Sequence, residues 1–139
     1  MNIFNKPNFL LRLEGAIIFM LSITIYYNQG YNWATFWSFI LIPDTAFLAY
    51  LINSNIGATA YNITHSKLLP SLLAIFAIST HNVFLISLSV VWFAHVGIDR
   101  FLGYGLKYPK GFKYTHLGIL GGSDNCDENY TTPSFCIKK

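Results

Sequence analysis

Two ionisable residues, His95 and Asp99, lie four positions apart near the end of a long apolar run. A helix places residues at this spacing on one face, so the imidazole and the carboxylate would be neighbours. An ionisable group in the hydrocarbon region of a membrane is costly unless it has a partner, and such groups usually mark a functional site. The pair therefore predicts chemistry inside a membrane, carried out together with further groups.

The composition is that of an integral membrane protein. Of the 139 residues, 53% are hydrophobic and only 11% are charged, whereas soluble domains carry roughly 25% charged residues. The net charge of +3 comes mainly from lysines and arginines in the two terminal regions. A membrane topology signal accounts for this charge, so we expect no nucleic-acid partner.

Four apolar segments are each long enough to cross a hydrocarbon core of about 30 Å at about 1.5 Å per residue. Pro70 is expected to kink or interrupt the third segment. Because the connections are only a few residues long, we predict an all-α fold, a four-transmembrane-helix up-and-down bundle with antiparallel neighbours. The predicted spans are residues 9–27, 31–51, 56–78 and 83–102.

The positive charges predict the orientation of the bundle. Lys6 and Arg12 flank the start of the first span and several lysines follow the fourth, whereas the loops around Gln29 and Asn82 contain no lysine or arginine. Cytoplasmic loops of membrane proteins carry the excess of lysine and arginine. We therefore expect a multi-pass protein of the cell membrane, with both termini cytoplasmic and with membrane lipids around it.

Counting depth along the spans brings more ionisable groups to the level of the opening pair. At about 1.5 Å per residue from the cytoplasmic end of each span, Asp44, His65, His95 and Asp99 all lie roughly 5 to 14 Å from the boundary. Glu14 falls at the same level, but it also fits an ordinary surface role. Helices can associate through small residues and hydroxyl groups alone, so this polar layer needs a chemical reason.

Two imidazoles and two carboxylates are suitable ligands for a divalent ion such as zinc, manganese or iron. We therefore predict a metal site formed by Asp44, His65, His95 and Asp99, in which Asp99 is also a candidate catalytic residue. Asn62 would share the helical face of His65 and orient it through a hydrogen bond. The alternatives are a simple intrahelical His95–Asp99 pair, pairing of Asp99 with a nearby cation, and a relay for protons or ions.

The segment after the fourth span combines glycines, lysines and aromatic residues at the expected membrane surface, as a short amphipathic and basic stretch. Arg100 and Lys107 are candidates for binding an anionic headgroup or phosphate, although a segment that only anchors the chain would have the same composition. His116 is a candidate catalytic residue if it folds back over the polar layer, and otherwise it is exposed. His81, in the opposite loop, is expected to be solvated.

The end of the chain differs from the rest. Residues 119–139 are polar and lack periodic apolar positions, which predicts a disordered C-terminal tail after a membrane domain of residues 1–118. Cys126 and Cys136 are ten residues apart, a spacing that matches no common metal or redox motif.

Several motifs carry a resemblance to a known family, and together they extend over residues 10–118. They are Pro43-Asp44, Tyr61-Asn62-x-x-His65, Trp92-x-Ala94-His95-x-Gly97-x-Asp99-Arg100-x-x-Gly103-Tyr104-Gly105-Leu106-Lys107-Tyr108 and, after Phe112, Thr115-His116-Leu117-Gly118. The chain resembles the bacterial small integral membrane family called domain of unknown function 4260. The resemblance implies a four-span membrane protein and no established activity. Its motif positions coincide with Asp44, His65, His95, Asp99 and His116.

Three functions fit these patterns. The first is a metal-dependent intramembrane hydrolase that acts on a lipid-like or anionic substrate, with the metal activating a bound water. The second is a proton- or ion-coupled transporter that uses the same side chains and forms its pathway as a homodimer. The third is a small structural accessory subunit, in which the polar layer keeps the helices in register.

Overall fold

The computed structural model describes residues 7–106, 114–115 and 118–119. The first of these ranges is a succession of helices. They are α1 (Pro7–Asn28), α2 (Trp33–Phe39), a 3₁₀ helix (Ile42–Leu51), α3 (Ser54–Thr64), α4 (Leu68–Ser79) and α5 (Val83–Leu102). Two short strands, β1 (Tyr114–Thr115) and β2 (Gly118–Ile119), pair antiparallel with Tyr114 opposite Ile119, a ladder that the sequence patterns did not predict.

Asparagines in the polar turns begin three of the helices. The side-chain oxygens of Asn32, Asn53 and Asn82 accept hydrogen bonds from the backbone N–H groups of Ala34 (2.8 Å), Ile56 (2.8 Å) and Leu85 (3.1 Å). Each bond satisfies one of the backbone donors that the first turn of a helix leaves without a partner. The turns that separate the apolar runs therefore also fix where α2, α3 and α5 start.

Three helical segments are long and apolar enough to cross a membrane. They are Asn8–Asn28, Trp33–Leu51 and Val83–Leu102. Their outer faces expose large apolar side chains, including Met20 (63% exposed) and Leu51 (84%). Such surfaces suit a hydrocarbon environment far better than water. The chain is thus a helical protein with helices of the membrane type.

The third predicted span, residues 56–78, is not a continuous helix. α3 ends at Thr64, residues 65–67 form a turn, and α4 begins at Leu68. Pro70 lies in the first turn of α4, where its missing N–H removes no intrahelical bond, so it stands near the start of a helix and not at a kink within one. The 12 residues of α4 extend only about 18 Å, and the four continuous spans expected from hydropathy are therefore not found.

The second predicted span changes helix type at Pro43. Proline has no backbone N–H, and α2 ends at Phe39, just before it. The N–H of Asp44 donates to the carbonyl oxygen of Leu41 at 3.1 Å, a tighter turn than that of an α-helix. Because a 3₁₀ helix rises about 2.0 Å per residue, Asp44 lies about 14 Å from Leu51, whereas α-helical geometry would give about 10 Å.

α1 and α5 form the most extensive helix contact in the described part of the chain, and two glycines lie at its centre. A Cβ atom added to Gly97 would lie 2.7 Å from the Phe19 nitrogen and 3.0 Å from the Gly15 oxygen. A Cβ atom on Gly15 would lie 2.8 Å from the Gly97 oxygen. The two backbones therefore meet directly, as small residues allow in membrane helix pairs.

The start of α1 lies beside the end of α5. Arg12 Nη2 donates to the Leu102 carbonyl oxygen at 3.5 Å, and its guanidinium group lies against Gly103. Gly103 ends α5 with a φ of 94°, a left-handed conformation that favours glycine. α1 and α5 are therefore antiparallel neighbours.

The 3₁₀ helix and α3 form an antiparallel helical hairpin, residues 42–65. Asp44 lies opposite His65, the rings of Phe47 and Tyr61 have centroids 5.1 Å apart, and the Tyr50 ring packs against Gly57. These three pairs follow one another from the open end of the hairpin to its turn. The hairpin thus holds Asp44 and His65 side by side, although 21 residues separate them in sequence.

An aromatic core lies at the other end of the bundle, between α1, α2 and α5. Tyr26, Phe36, Val91 and Ala94 are buried together there. The Tyr26 hydroxyl donates to the Asn32 carbonyl oxygen at 2.7 Å, which ties the α1–α2 connection to the core. This core fixes α5 against α1 and α2, and so sets the position of the polar residues further along α5.

Candidate metal centre

The structure brings Asp44, His65, His95 and Asp99 together. Each residue offers one ligand atom, and the four atoms all lie within 4.8 Å of one another. Asp44 and His65 come from the two ends of the hairpin, whereas His95 and Asp99 come from adjacent turns of α5. Each of the two elements thus contributes one imidazole and one carboxylate.

The distances within this cluster are those of hydrogen bonds and ion pairs, and they also fit ligands around a common ion. The Nε2 atoms of His65 and His95 are 3.1 Å apart. Asp44 Oδ1 lies 3.2 Å and 3.4 Å from these two nitrogens, and Asp99 Oδ2 lies 3.3 Å and 3.6 Å from them. In a tetrahedral site with bonds of about 2.0–2.1 Å, neighbouring ligand atoms are about 3.3–3.4 Å apart. The five measured distances bracket this value.

The two residue types differ in burial. His65 and His95 are each only 3% exposed. The side chain of Asp44 is 35% exposed and that of Asp99 is 18% exposed. The imidazoles therefore lie inside the bundle, while the carboxylates extend from them to its surface and give the cluster an accessible side.

Hydrogen bonds orient the His65 ring so that Nε2 faces the cluster. His65 Nδ1 lies 3.0 Å from the Tyr61 carbonyl oxygen, which can only accept, so Nδ1 carries the proton. The Thr64 hydroxyl oxygen lies 2.9 Å from the same nitrogen. Metal-binding histidines commonly donate their second N–H to a backbone carbonyl in this way, because the bond fixes both the tautomer and the ring orientation.

The ring of His95 also lies close to the backbone of Ile40, in the α2–3₁₀ connection. The short distance between the two Nε2 atoms has a chemical consequence: two N–H groups cannot point at each other at 3.1 Å. At most one Nε2 therefore carries a proton. A deprotonated Nε2 is the form that binds a metal ion.

Two aromatic side chains support the cluster. The Tyr61 ring stacks on the His65 ring, with centroids 3.8 Å apart and an interplanar angle of 16°. Trp92 Nε1 donates to the Thr64 carbonyl oxygen at 2.8 Å, which ties the end of α3 to α5. Sequence reasoning assigned neither residue a role. The available signal was spacing, since Tyr61 lies one turn before His65 and Trp92 about one turn before His95.

The other candidate residues fall in different places. Asn62 is half-buried on α3 and Arg100 is half-buried in the last turn of α5. Glu14 is not part of the cluster, since its carboxylate lies 3.8 Å from Lys67 Nζ and both side chains are exposed. His81 is exposed in the turn before α5. Lys107, His116 and nearly all of the predicted tail lie outside the described residues.

His95 and Asp99 are not an isolated intrahelical pair. Asp99 Oδ2 lies closer to His65 Nε2, at 3.3 Å, than to His95 Nε2, at 3.6 Å. At these distances the histidines can form ion pairs with the carboxylates, and the same four side chains can also hold a divalent metal ion. The cluster thus has the donor atoms and the spacing of a metal site.

The fold and the cluster together define a class, helical proteins with membrane-type helices and a buried group of histidines and aspartates. Within that class, the chain belongs to the family described as Domain of unknown function (DUF4260), whose model matches residues 8–120. This match confirms the resemblance found in the motifs, and it contains all four clustered residues. Neither the curated proteins nor the solved structures include a significant match to the chain.

Proposed function

We propose that this protein is a membrane-embedded, metal-dependent hydrolase that acts on a lipid-like or anionic substrate. The observation that carries the proposal is the set of five distances between 3.1 and 3.6 Å that join His65 and His95 to each other and to Asp44 and Asp99. Zinc is the favoured ion, because it accepts nitrogen and carboxylate ligands in tetrahedral geometry, whereas manganese prefers six oxygen-rich ligands.

In the proposed site, Asp44, His65 and His95 bind the ion and Asp99 acts as the general base. Catalytic zinc sites use three protein ligands and leave the fourth position to water or substrate. A bound divalent ion lowers the pKa of such a water to near 7. The Asp99 carboxylate oxygen lies 3.3 Å and 3.6 Å from the two histidine nitrogens, and so could accept a hydrogen bond from a water held at the open position of the ion.

The surroundings favour a lipid-like substrate. The carboxylates form the exposed side of the cluster, and the helices around it present apolar surface. Arg100 directly follows Asp99 and is half-buried, so its guanidinium group is a candidate to bind an anionic headgroup. Lys107 and His116 keep their proposed roles in headgroup binding and catalysis, and they come after α5 in the chain.

We also propose that the chain crosses the cell membrane four times, with α3 and α4 forming the third crossing in two parts. The start of α1 lies beside the end of α5, which favours an even number of crossings. Arg12 and Arg100 lie at this end, while the turns at the other end contain neither lysine nor arginine. The distribution of positive charge therefore favours a cytoplasmic location for both termini.

Metal content tests the site. The protein, purified in detergent and loaded with zinc, should hold about one zinc ion per chain by elemental analysis, and the His65→Ala and His95→Ala variants should lose it. The matched control is His81→Asn: His81 is exposed, lies in the turn before α5 and has a φ of 51°, which asparagine tolerates. Wild-type protein with no zinc above background would refute the metal site.

Turnover tests the hydrolase. The zinc-loaded protein should cleave a phospholipid such as phosphatidylglycerol in mixed micelles, with product release followed by mass spectrometry. The Asp99→Asn variant should keep most of its zinc and lose about 10²–10⁴-fold in turnover, the usual contribution of a general base. Equal turnover in Asp99→Asn and the wild type, at equal zinc content, would contradict the proposed role of Asp99.

A further inference from the structure

We propose that the bound ion docks the hairpin, residues 42–65, onto α5, so that ion binding closes the site and ion release frees the hairpin. The docking rests on the proposed metal site and adds a conformational role to it. Its basis is the division of the four clustered residues, two from the hairpin and two from α5. An ion bound by Asp44 and His65 of the hairpin and by His95 of α5 would join the two elements.

The packing of the hairpin and of α5 favours docking by the ion. The extensive backbone contacts of α5 are with α1 and α4, and those of the 3₁₀ helix are with α3. The hairpin is therefore held together mainly by its own contacts, among them Phe47 with Tyr61 and Tyr50 with Gly57. Its polar links to α5 include the cluster itself and the hydrogen bond from Trp92 to Thr64.

Both ends of the hairpin are interruptions of regular helix. At the first end α2 stops at Phe39, and the 3₁₀ helix begins only at Ile42, with Pro43 in its first turn. At the second end residues 65–67 form a turn between α3 and α4. Short non-helical connections of this kind absorb the dihedral changes of a hinge. The hairpin can thus move as a unit between them.

The charges of the cluster make the docking depend on the ion. Asp44 is on the hairpin and Asp99 is on α5, and their ligand oxygens lie within 4.8 Å of each other. Two carboxylates this close repel each other, and the repulsion is stronger in a weakly polar interior than in water. Histidines that act as ligands are neutral, so the two positive charges of the ion offset the carboxylates. Without the ion, only a protonated histidine can offset the carboxylates of the two facing elements.

Freeing the hairpin would also open a route by which the ion leaves and re-enters the site. Asp44 is the most exposed of the four clustered residues, at 35%, so the hairpin forms the outer side of the site. The ion needs such an opening, because the two histidines are buried when the hairpin is docked.

Distance measurements between spin labels test the docking on the full chain, with Cys126 and Cys136 replaced by serine. One pair of spin labels measures the distance between the hairpin and α5, with labels at Leu51→Cys (84% exposed in the wild type) and Phe84→Cys (52%). The control pair joins α1 to α5, through Leu13→Cys (43%) and the same Phe84→Cys. Each protein is measured by double electron–electron resonance with zinc and with a chelator, and its zinc content is determined in parallel.

We expect the Leu51–Phe84 distance distribution to be a single narrow peak with zinc and to broaden and shift with the chelator, while the Leu13–Phe84 distribution stays unchanged. In a His95→Ala background the Leu51–Phe84 distribution should be broad under both conditions, and an unchanged Leu13–Phe84 distribution shows that this variant is folded. If the protein binds zinc but the chelator does not change the Leu51–Phe84 distance distribution, the docking proposal is wrong and the metal site is not contradicted. No bound zinc would overturn both, and a change in both label pairs would overturn movement of the hairpin as a unit.

Discussion

The indole Nε1 of Trp92 donates a hydrogen bond to the Thr64 carbonyl oxygen at 2.8 Å. Thr64 is the last residue of α3, and its hydroxyl oxygen lies 2.9 Å from His65 Nδ1. The bond therefore links α5 to the backbone that orients His65. It also gives a partner to one of the carbonyl groups that the end of α3 would otherwise leave unsatisfied.

Replacing Trp92 with phenylalanine keeps an aromatic ring and removes this donor. We expect the Trp92→Phe variant to be about 1–3 kcal/mol less stable, because the partly buried carbonyl group loses its partner. We also expect zinc affinity to fall about 10- to 100-fold, the usual effect of losing a group that orients a metal ligand. Competition with a chelator measures the affinity, and Trp37→Phe is the control, since Trp37 is 70% exposed. Equal affinity in Trp92→Phe and the wild type would show that the bond does not orient His65.

The stacking of Tyr61 on His65 predicts a second set of variants. Tyr61→Phe keeps the ring and should keep the zinc, whereas Tyr61→Ala removes a ring that is only 1% exposed. The cavity should cost about 3–5 kcal/mol, as for other buried aromatic residues, and it should free the His65 ring. Thermal unfolding in detergent and zinc content measure the two effects. Tyr27→Ala, at a tyrosine that is 72% exposed, is the control and should change neither.

The close contact between the backbones of α1 and α5 predicts that Gly97→Ala will destabilise the bundle. The added methyl group would lie 2.7 Å from the Phe19 nitrogen, so α1 must move away from α5. Overpacking of this kind costs about 1–3 kcal/mol. Gly97 also lies between His95 and Asp99, and zinc affinity should fall along with the melting temperature. Ser38→Thr, which adds one methyl group at an exposed position of α2, should melt like the wild type. A Gly97→Ala protein with wild-type melting would contradict the direct backbone contact.

Zinc binding should weaken as the pH falls. Zinc needs deprotonated imidazole nitrogens, so protons compete with the ion at acidic pH. Because at most one of the two facing Nε2 atoms carries a proton, the dissociation constant should rise by up to about 10-fold per pH unit where that proton is bound in the ion-free protein. Titration with a fluorescent zinc indicator between pH 4 and pH 8 measures this slope. His81→Asn should show the same slope, and an affinity that stays constant down to pH 4 would contradict histidine ligation.

Depth counting along the apolar runs predicts that Asp44, His65, His95 and Asp99 lie at one level of the membrane, and the structure brings these four residues together. The hydropathy of the sequence also predicts the first and last residues of α1 and α5 to within a few positions. These features are local, and periodicity and residue type determine them.

The features that sequence reasoning did not predict depend on contacts between elements. Residues 56–78 are apolar enough to read as one span, and the interruption at residues 65–67 comes where His65 meets Asp44 and His95. The 3₁₀ geometry after Pro43 places Asp44 about 4 Å deeper relative to Leu51 than an α-helical count does. The hydrogen bond from Trp92 to Thr64 depends on which helices are neighbours, and no spacing within one helix predicts it. The stacking of Tyr61 on His65, in contrast, agrees with their spacing of one helical turn.

The contact between Gly15 and Gly97 has a consequence for how the protein is made. α1 leaves the ribosome first and α5 last among the described helices, since chains are synthesised from the N-terminus. During translation α1 must therefore stay inserted in the bilayer while the hairpin and α4 follow. At this stage the surface around Gly15 is not yet packed against Gly97 of α5. Asp44 and His65 are likewise synthesised before His95 and Asp99. In the proposed metal site, the complete ligand set therefore exists only after α5 has been synthesised, because α5 contributes His95.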